Sequence, residues 1–303
     1  MIAPEHASSR ELIALLSQAS VEVSSRGHQL PELRDHFRAG TDVTITFLPG
    51  DNYRHNVETA AALRRAGFNP VPHIAAREMP SREELDDFLA RARGEAEVTR
   101  ILLIAGDVAA AKGPFKSSFD VRASGLIEAR GIERVSVAGH PEGHPYLGSD
   151  ATFGGLEGWR DWGQQTKIRV DAVTQFCFES APILDWIGEL DARGVDLPVI
   201  VGLAGPASPA MLTKFALRCG IGNSIRSLRS QIGRFGRLLA DTGPDDVMRG
   251  LQSAPEEATA SIAGFHLFPF GGLCKAAEWS RNYRAETLGQ MARAAPRTGA
   301  QNP

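Results

Sequence analysis

The feature that most limits how this chain folds is a repeated alternation. A short β-branched or apolar run is followed by an amphipathic stretch at helical spacing, along nearly the whole length. The barest example is Arg100–Asp107, RILLIAGD. Its five apolar residues, Ile101 to Ala105, suit a strand buried on both faces; Gly106 ends it and Asp107 follows at its C-terminal mouth. Strands are read at Ser20–Ser24, Thr41–Pro49, Pro70–Ile74, Arg100–Asp107, Arg134–His140, Asp171–Phe178, Leu197–Gly205 and Gly264–Gly271. Helices are read at Ser8–Ala19, His55–Gly67, Ser81–Gly94, from Ser118 to about Arg130, and at Glu157–Arg169, Ser180–Gly194, Ser208–Gly220 and Cys274–Met291. An extra Arg-bearing helical segment, Asn223–Ala254, falls between strands seven and eight. This alternation specifies a parallel sheet with crossover helices. Eight units favour an α/β fold of the closed (β/α)8 TIM-barrel type over an open doubly wound sheet. Neither G-x-G-x-x-G nor G-x-x-x-x-G-K-[ST] is present to support the open sheet. No linker divides the chain, so residues 1–292 read as one catalytic domain and 293–303 as a disordered tail.

Composition narrows the partners. A net charge of −3 gives no basic field for nucleic acid or an anionic membrane. The apolar runs fall well short of the roughly 20 residues a membrane helix needs. The N-terminus lacks a basic region followed by an apolar one, and the three cysteines are widely separated. Both suggest a cytoplasmic protein with reduced thiols.

In such a barrel the strand ends face the mouth. They offer Glu22, Thr46, His73, Asp107, His140 with His144 in the loop beyond, and Thr174 with Gln175, all on strands one to six. Strands seven and eight offer only Gly202, Gly205 and the apolar LFPFGG, a smooth surface suited to a flat ring lying against backbone. Glu22, between Val21 and Val23, is expected to point into the barrel. There it is either a carboxyl with a raised pKa, able to hold a proton near neutrality, or the partner of a buried Lys or Arg. Asp107 reads as a ligand contact or a turn residue, and His73 as a hydrogen-bonded core histidine. Gln175 needs a polar partner. His140, His144 and Glu142 lack further ligands at a recognised spacing, so no metal is expected. The Arg series after Asn223 suits a solvated helix face. G-x-S-x-G is absent, and a site rich in hydrogen-bonding groups but poor in nucleophiles fits redox chemistry on a cofactor.

The strand ends resemble those of methylenetetrahydrofolate reductases in their short single-domain bacterial form. The likeness runs from about Ser20 to Ala277: SVEVS with Glu22, DVTITF with Thr46, PVPHI with His73, LLIAGD with Gly106 and Asp107, AGHPEGHP with His140 and His144, VTQFCF with Gln175, and VIVGLAG. The resemblance implies an oxidoreductase of one-carbon metabolism, acting on CH–NH donors on the route to methionine. It would interconvert 5,10-methylenetetrahydrofolate and 5-methyltetrahydrofolate by hydride transfer through FAD, with NADH as electron donor. Glu22 would protonate folate N10; Asp107 would contact the pterin near the flavin; Gln175 would contact the stacked ring. Thr46, His73, Ala105, Gly106, Asp107, His140, His144 and Lys167 would hold the flavin. Three departures stand out: Ala105 replaces the family's arginine, Pro209 replaces an aromatic residue, and Pro269–Gly272 replaces an L-N-R segment. They leave room for a flavin-independent NADH-linked reductase, or for a folate- or flavin-binding subunit acting with a partner protein. A homo-oligomer is equally compatible.

Overall fold

A computed structural model of the 303-residue chain describes residues 4–26, 29–106, 108, 110–144, 147–218 and 241–294. Eight parallel strands close into a barrel in sequence order: β1 (Ser20–Ser24), β2 (Asp42–Thr46), β3 (Asn69–Ala75), β4 (Arg100–Ile104), β5 (Arg134–Gly139), β6 (Arg169–Thr174), β7 (Val199–Ala204) and β8 (Ile262–Phe268). The β1–β8 pairing of Ser20 with His266 closes the ring. Helices fill nearly every crossover, as a (β/α)8 barrel requires.

Parallel pairing keeps Cα partners on the same side of the wall, so the register says what faces inward. Glu22 pairs with Thr44, Ser24 with Thr46, His73 with Leu102, Leu102 with Ser136, Ser136 with Asp171 and Gly202 with His266. The alternate residues Val21, Val23, Val43 and Ile45 belong to the apolar layer between barrel and helices. At the N-terminal end of the strands the interior is polar. Arg134 Nε donates to Asp171 Oδ2 at 2.5 Å, Ser136 Oγ donates to Asp171 Oδ1 at 2.7 Å, and Arg100 pairs with Asp42 at 2.5 Å. These pairs plug that end.

The helices depart from expectation for local reasons. The helix before β6 runs Ser149–Thr166, eight residues earlier than read, and Arg169 already belongs to β6. Its glycines hid it: a Cβ at Gly163 would meet Val170 Cγ2 at 2.8 Å, so that glycine is what lets the helix lie on the strand. The segment expected as one helix to Arg130 is two, Ser118–Ala123 and Leu126–Ala129, broken where Gly125 turns to φ +70°. Short helices at Leu30–His36 and Glu256–Thr259 were not legible as such. Of the segment between strands seven and eight, residues 219–240 lie outside the described residues, and Asp245–Gln252 is helical. The last helix, Leu273–Ala294, runs three residues past the expected end at Met291. Among the described residues no helix is long and apolar enough to cross a membrane.

Candidate functional site

Glu22 lies mid-strand in β1, and the burial of Val21 and Val23 behind the wall turns it inward. Burial pushes its carboxyl up to about 7. His73 Nε2 lies 3.8 Å from Glu22 Oε2, and burial lowers His73 to about 4. At neutral pH the imidazole is therefore uncharged and the carboxyl holds a proton much of the time. The contact is a neutral acid beside a neutral base, not an ion pair. Of the two readings of Glu22, the structure supports the proton-holding one: among the described residues no Lys or Arg forms an ion pair with it.

A third titratable group completes the cluster. His266 on β8 is 1% exposed; its Nδ1 meets Ser20 Oγ at 2.8 Å, and burial together with nearby His73 lowers it to about 3. The strand-end residues of β8, LFPFGG, offer no polar group, so His266 is an addition to the expected set. The signal was present in Gly264-Phe265-His266-Leu267-Phe268, where Phe265 and Leu267 are buried at 1% behind the wall and His266 takes the alternate face. Inside this part of the barrel four polar atoms are buried without a hydrogen-bond partner: Thr44 Oγ1, Thr46 Oγ1, His73 Nε2 and His266 Nε2. His73 is thus not the satisfied core histidine expected. Each orphaned group costs on the order of 1–3 kcal/mol, and such groups collect where a polar ligand binds.

The surface at β7 and β8 also differs from expectation. A Cβ on Gly202 would lie 2.3 Å from Thr174 O and 2.7 Å from Phe268 Cε2. The space left by the missing side chain is filled by the chain's own Phe268 and is not open to a ligand ring. Phe268 continues a run of rings: His266 edge-on at 4.7 Å, then Phe270 stacked at 5.8 Å, then Phe215 stacked on Phe270 at 4.1 Å. Phe176, fully buried, supports Phe268 and Phe270 edge-on from behind.

Of the other expected residues, Gly106 follows β4 at φ +92°, where a Cβ would meet Ala75 Cβ at 3.2 Å. Ala105 O accepts from Arg77 N at 2.9 Å. Gln175 finds its partner locally: its Oε1 accepts from Phe176 N at 3.1 Å. His140 and His144 meet edge-on at 4.8 Å, and burial lowers His140 to about 4. Asp107 lies outside the described residues. Lys167 is a correction. It caps the helix Ser149–Thr166 at φ +63°, exposed, just before β6 begins. It therefore stands at the opposite rim, away from the strand C-termini. A cleft of about 330 Å³ shares that lower end, lined by Arg64, Asn69 and Arg100 among others. Two of its three arginines are committed: Arg64 donates to the Ala96 and Glu97 carbonyls, and Arg100 pairs with Asp42, while Arg93 also lines the cleft. Among the described residues no group of three or more potential metal ligands occurs.

No known protein-family profile matches the chain. Among solved structures, it is similar to an uncharacterized protein from Clostridium thermocellum that binds two copies of 5-methyl-5,6,7,8-tetrahydrofolic acid. The TM-score is 0.58 at 11% identity, covering 93% of this chain and 99% of that one. At that identity the likeness shows the shared fold. Dispersin B overlaps at a TM-score of only 0.30.

The residues expected to hold a flavin dinucleotide fit its diphosphate poorly. Ala105 has no side-chain donor, Lys167 is on the other rim, and His140 is uncharged above about pH 4. His144 is likewise lowered by burial and by nearby Arg77. Arg77 is a cation at this rim, but its Nε donates to Lys116 O at 2.9 Å and its Nη1 to Val108 O at 3.4 Å.

Proposed function

We propose that this chain binds a reduced folate at the C-terminal mouth of the barrel and interconverts 5,10-methylenetetrahydrofolate and 5-methyltetrahydrofolate. The observation that carries the reading is Glu22: a half-buried carboxyl 3.8 Å from the imidazole of His73, pushed up to about 7, in an interior with unpartnered polar atoms. Opening the methylene bridge needs a proton on N10 as the C–N10 bond breaks. Hydride then adds to the exocyclic carbon of the resulting iminium. An acid that is still protonated at neutral pH suits the first step. The folate-binding barrel from Clostridium thermocellum, similar over nearly the whole length, supports the substrate class. The order of strand-end motifs supports the reaction.

NADH carries a diphosphate as FAD does, so the poor fit to that group weighs equally on a retained flavin and on direct transfer from NADH, and the flavin's own absorbance separates the two. Titration calorimetry with 5-methyltetrahydrofolate tests the substrate class, and the visible spectrum of the gently purified protein tests flavin retention. Saturable folate binding and NADH-dependent reduction of methylenetetrahydrofolate are expected. Absence of folate binding overturns the reading, and turnover only in the presence of a second protein would make the chain a subunit.

A further inference from the structure

The proposed reaction uses Glu22 but leaves two features beside it unused. One is the ring series from Phe268 through Phe270 to Phe215, half-buried on its outer side and supported from behind by Phe176. The other is the set of orphaned polar atoms on Thr44, Thr46, His73 and His266, of which Thr44, His73 and His266 are more than nine-tenths buried. They adjoin at His266, whose ring meets Phe268 at 4.7 Å.

The two rings of a reduced folate differ in the way these two surfaces differ. The pterin carries an amino group, an oxo group and ring nitrogens along one edge, and needs polar partners there. The p-aminobenzoyl ring is an aromatic face with polar atoms only at its two para ends. Along its length the phenyl stack presents ring edges, which suit the face of another aromatic ring, and it offers no hydrogen bonds. Resting on the folate reading above, we propose that Phe268, Phe270 and Phe215 form the platform for the p-aminobenzoyl ring, while the pterin edge turns to the unpartnered side chains of the interior. N10 joins the two rings. It then falls at the junction of stack and polar cluster, beside Glu22. The glutamate tail leaves along Phe215 towards solvent. The platform selects substrates by the ring attached to N10, a specificity that Glu22 alone does not supply.

Two fragments separate the surfaces: p-aminobenzoylglutamate and 6-methyltetrahydropterin, each titrated by calorimetry beside 5-methyltetrahydrofolate. Phe270→Leu and, at the outer end of the stack, Phe215→Leu are the variants, with thermal melts to check folding. Both are expected to weaken p-aminobenzoylglutamate and the whole folate by roughly tenfold while leaving the tetrahydropterin within about twofold. Phe215→Leu keeps the test sound if Phe270→Leu, which also loses its contact with Phe176, fails to fold. Wild-type folate binding with unchanged fragment affinities in the variants overturns the platform and leaves the folate reading intact. Loss of the tetrahydropterin instead reverses the ring assignment and overturns the proposal. Binding of p-aminobenzoylglutamate lost in the variants, without binding of whole folate by the wild type, supports the platform and removes the folate reading. No binding of any probe by the wild type overturns both.

Discussion

Residue 22 is where small changes have the largest consequences. In the proposed reaction its carboxyl must be protonated to act at N10, and the protonated fraction falls as pH rises through about 7. Methylenetetrahydrofolate reduction should therefore decline on that limb, in a profile of rate against pH at saturating substrate. Glu22→Gln keeps the shape and removes the proton: turnover should fall by a factor on the order of 100 or more, with 5-methyltetrahydrofolate affinity nearly unchanged. Wild-type-like turnover would reduce Glu22 to a structural role. Linkage gives the stability contribution of Glu22 the same direction. A carboxyl raised from 4.5 to about 7 in the folded state contributes stability that is present below 4.5 and lost as pH rises through about 7. His73 and His266, lowered to about 4 and about 3 from 6.5, contribute stability present above 6.5 and lost as pH falls through those values. Denaturant melts should thus show Glu22→Gln gaining on the wild type as pH rises from 4.5 to beyond 7. A constant difference would mean Glu22 titrates normally. Glu22 was legible because two buried valines flank it. His266 was not, because its partner Ser20 is 246 residues away and only the closing register brings them together.

At the scale of the element, β7 shows how a strand is shaped by what it lacks. Five of its six residues carry side chains, and Gly202 gives its place to Phe268 of the neighbouring strand. Gly202→Ala should cost on the order of 2 kcal/mol, read as a lower urea midpoint, because the clash at 2.3 Å is with backbone and cannot relax by a rotamer change. A wild-type midpoint would mean the β6–β7 spacing yields more readily than the geometry allows. The glycine was visible in the sequence, but its purpose was not: a bare glycine on a strand suits a ligand or a neighbouring ring equally well. The same limit explains Lys167. Its helix begins at Ser149 among glycines that weaken the helical pattern, so the chain's return to the lower rim was misplaced. Where local signals were strong the elements came out with their ends: Ser81 caps its helix by accepting from Glu84 N at 3.2 Å, and Ser20–Ser24 is β1 to the residue.

At the scale of the molecule, the barrel divides its labour between its two ends. The lower end is held by ion pairs that take no part in the proposed chemistry. Removing the cation from the buried Asp171, as in Arg134→Met, should destabilise the fold by on the order of 3 kcal/mol while leaving folate affinity as in the wild type. Melting and calorimetry on the same preparation decide it, and a lost affinity with an unchanged melt would mean that the two ends communicate. The eightfold alternation made the architecture legible because each unit repeats the same signal. The division between ends was not, since Asp42, Arg100, Arg134 and Asp171 are drawn from four different strands.

The ion pairs at the lower end leave the strand C-termini as the side from which the proposed site is reached. Under the proposed reaction, an incoming hydride donor and a departing folate would both use that side of the barrel. On that reading the two reactants would take turns at one entrance.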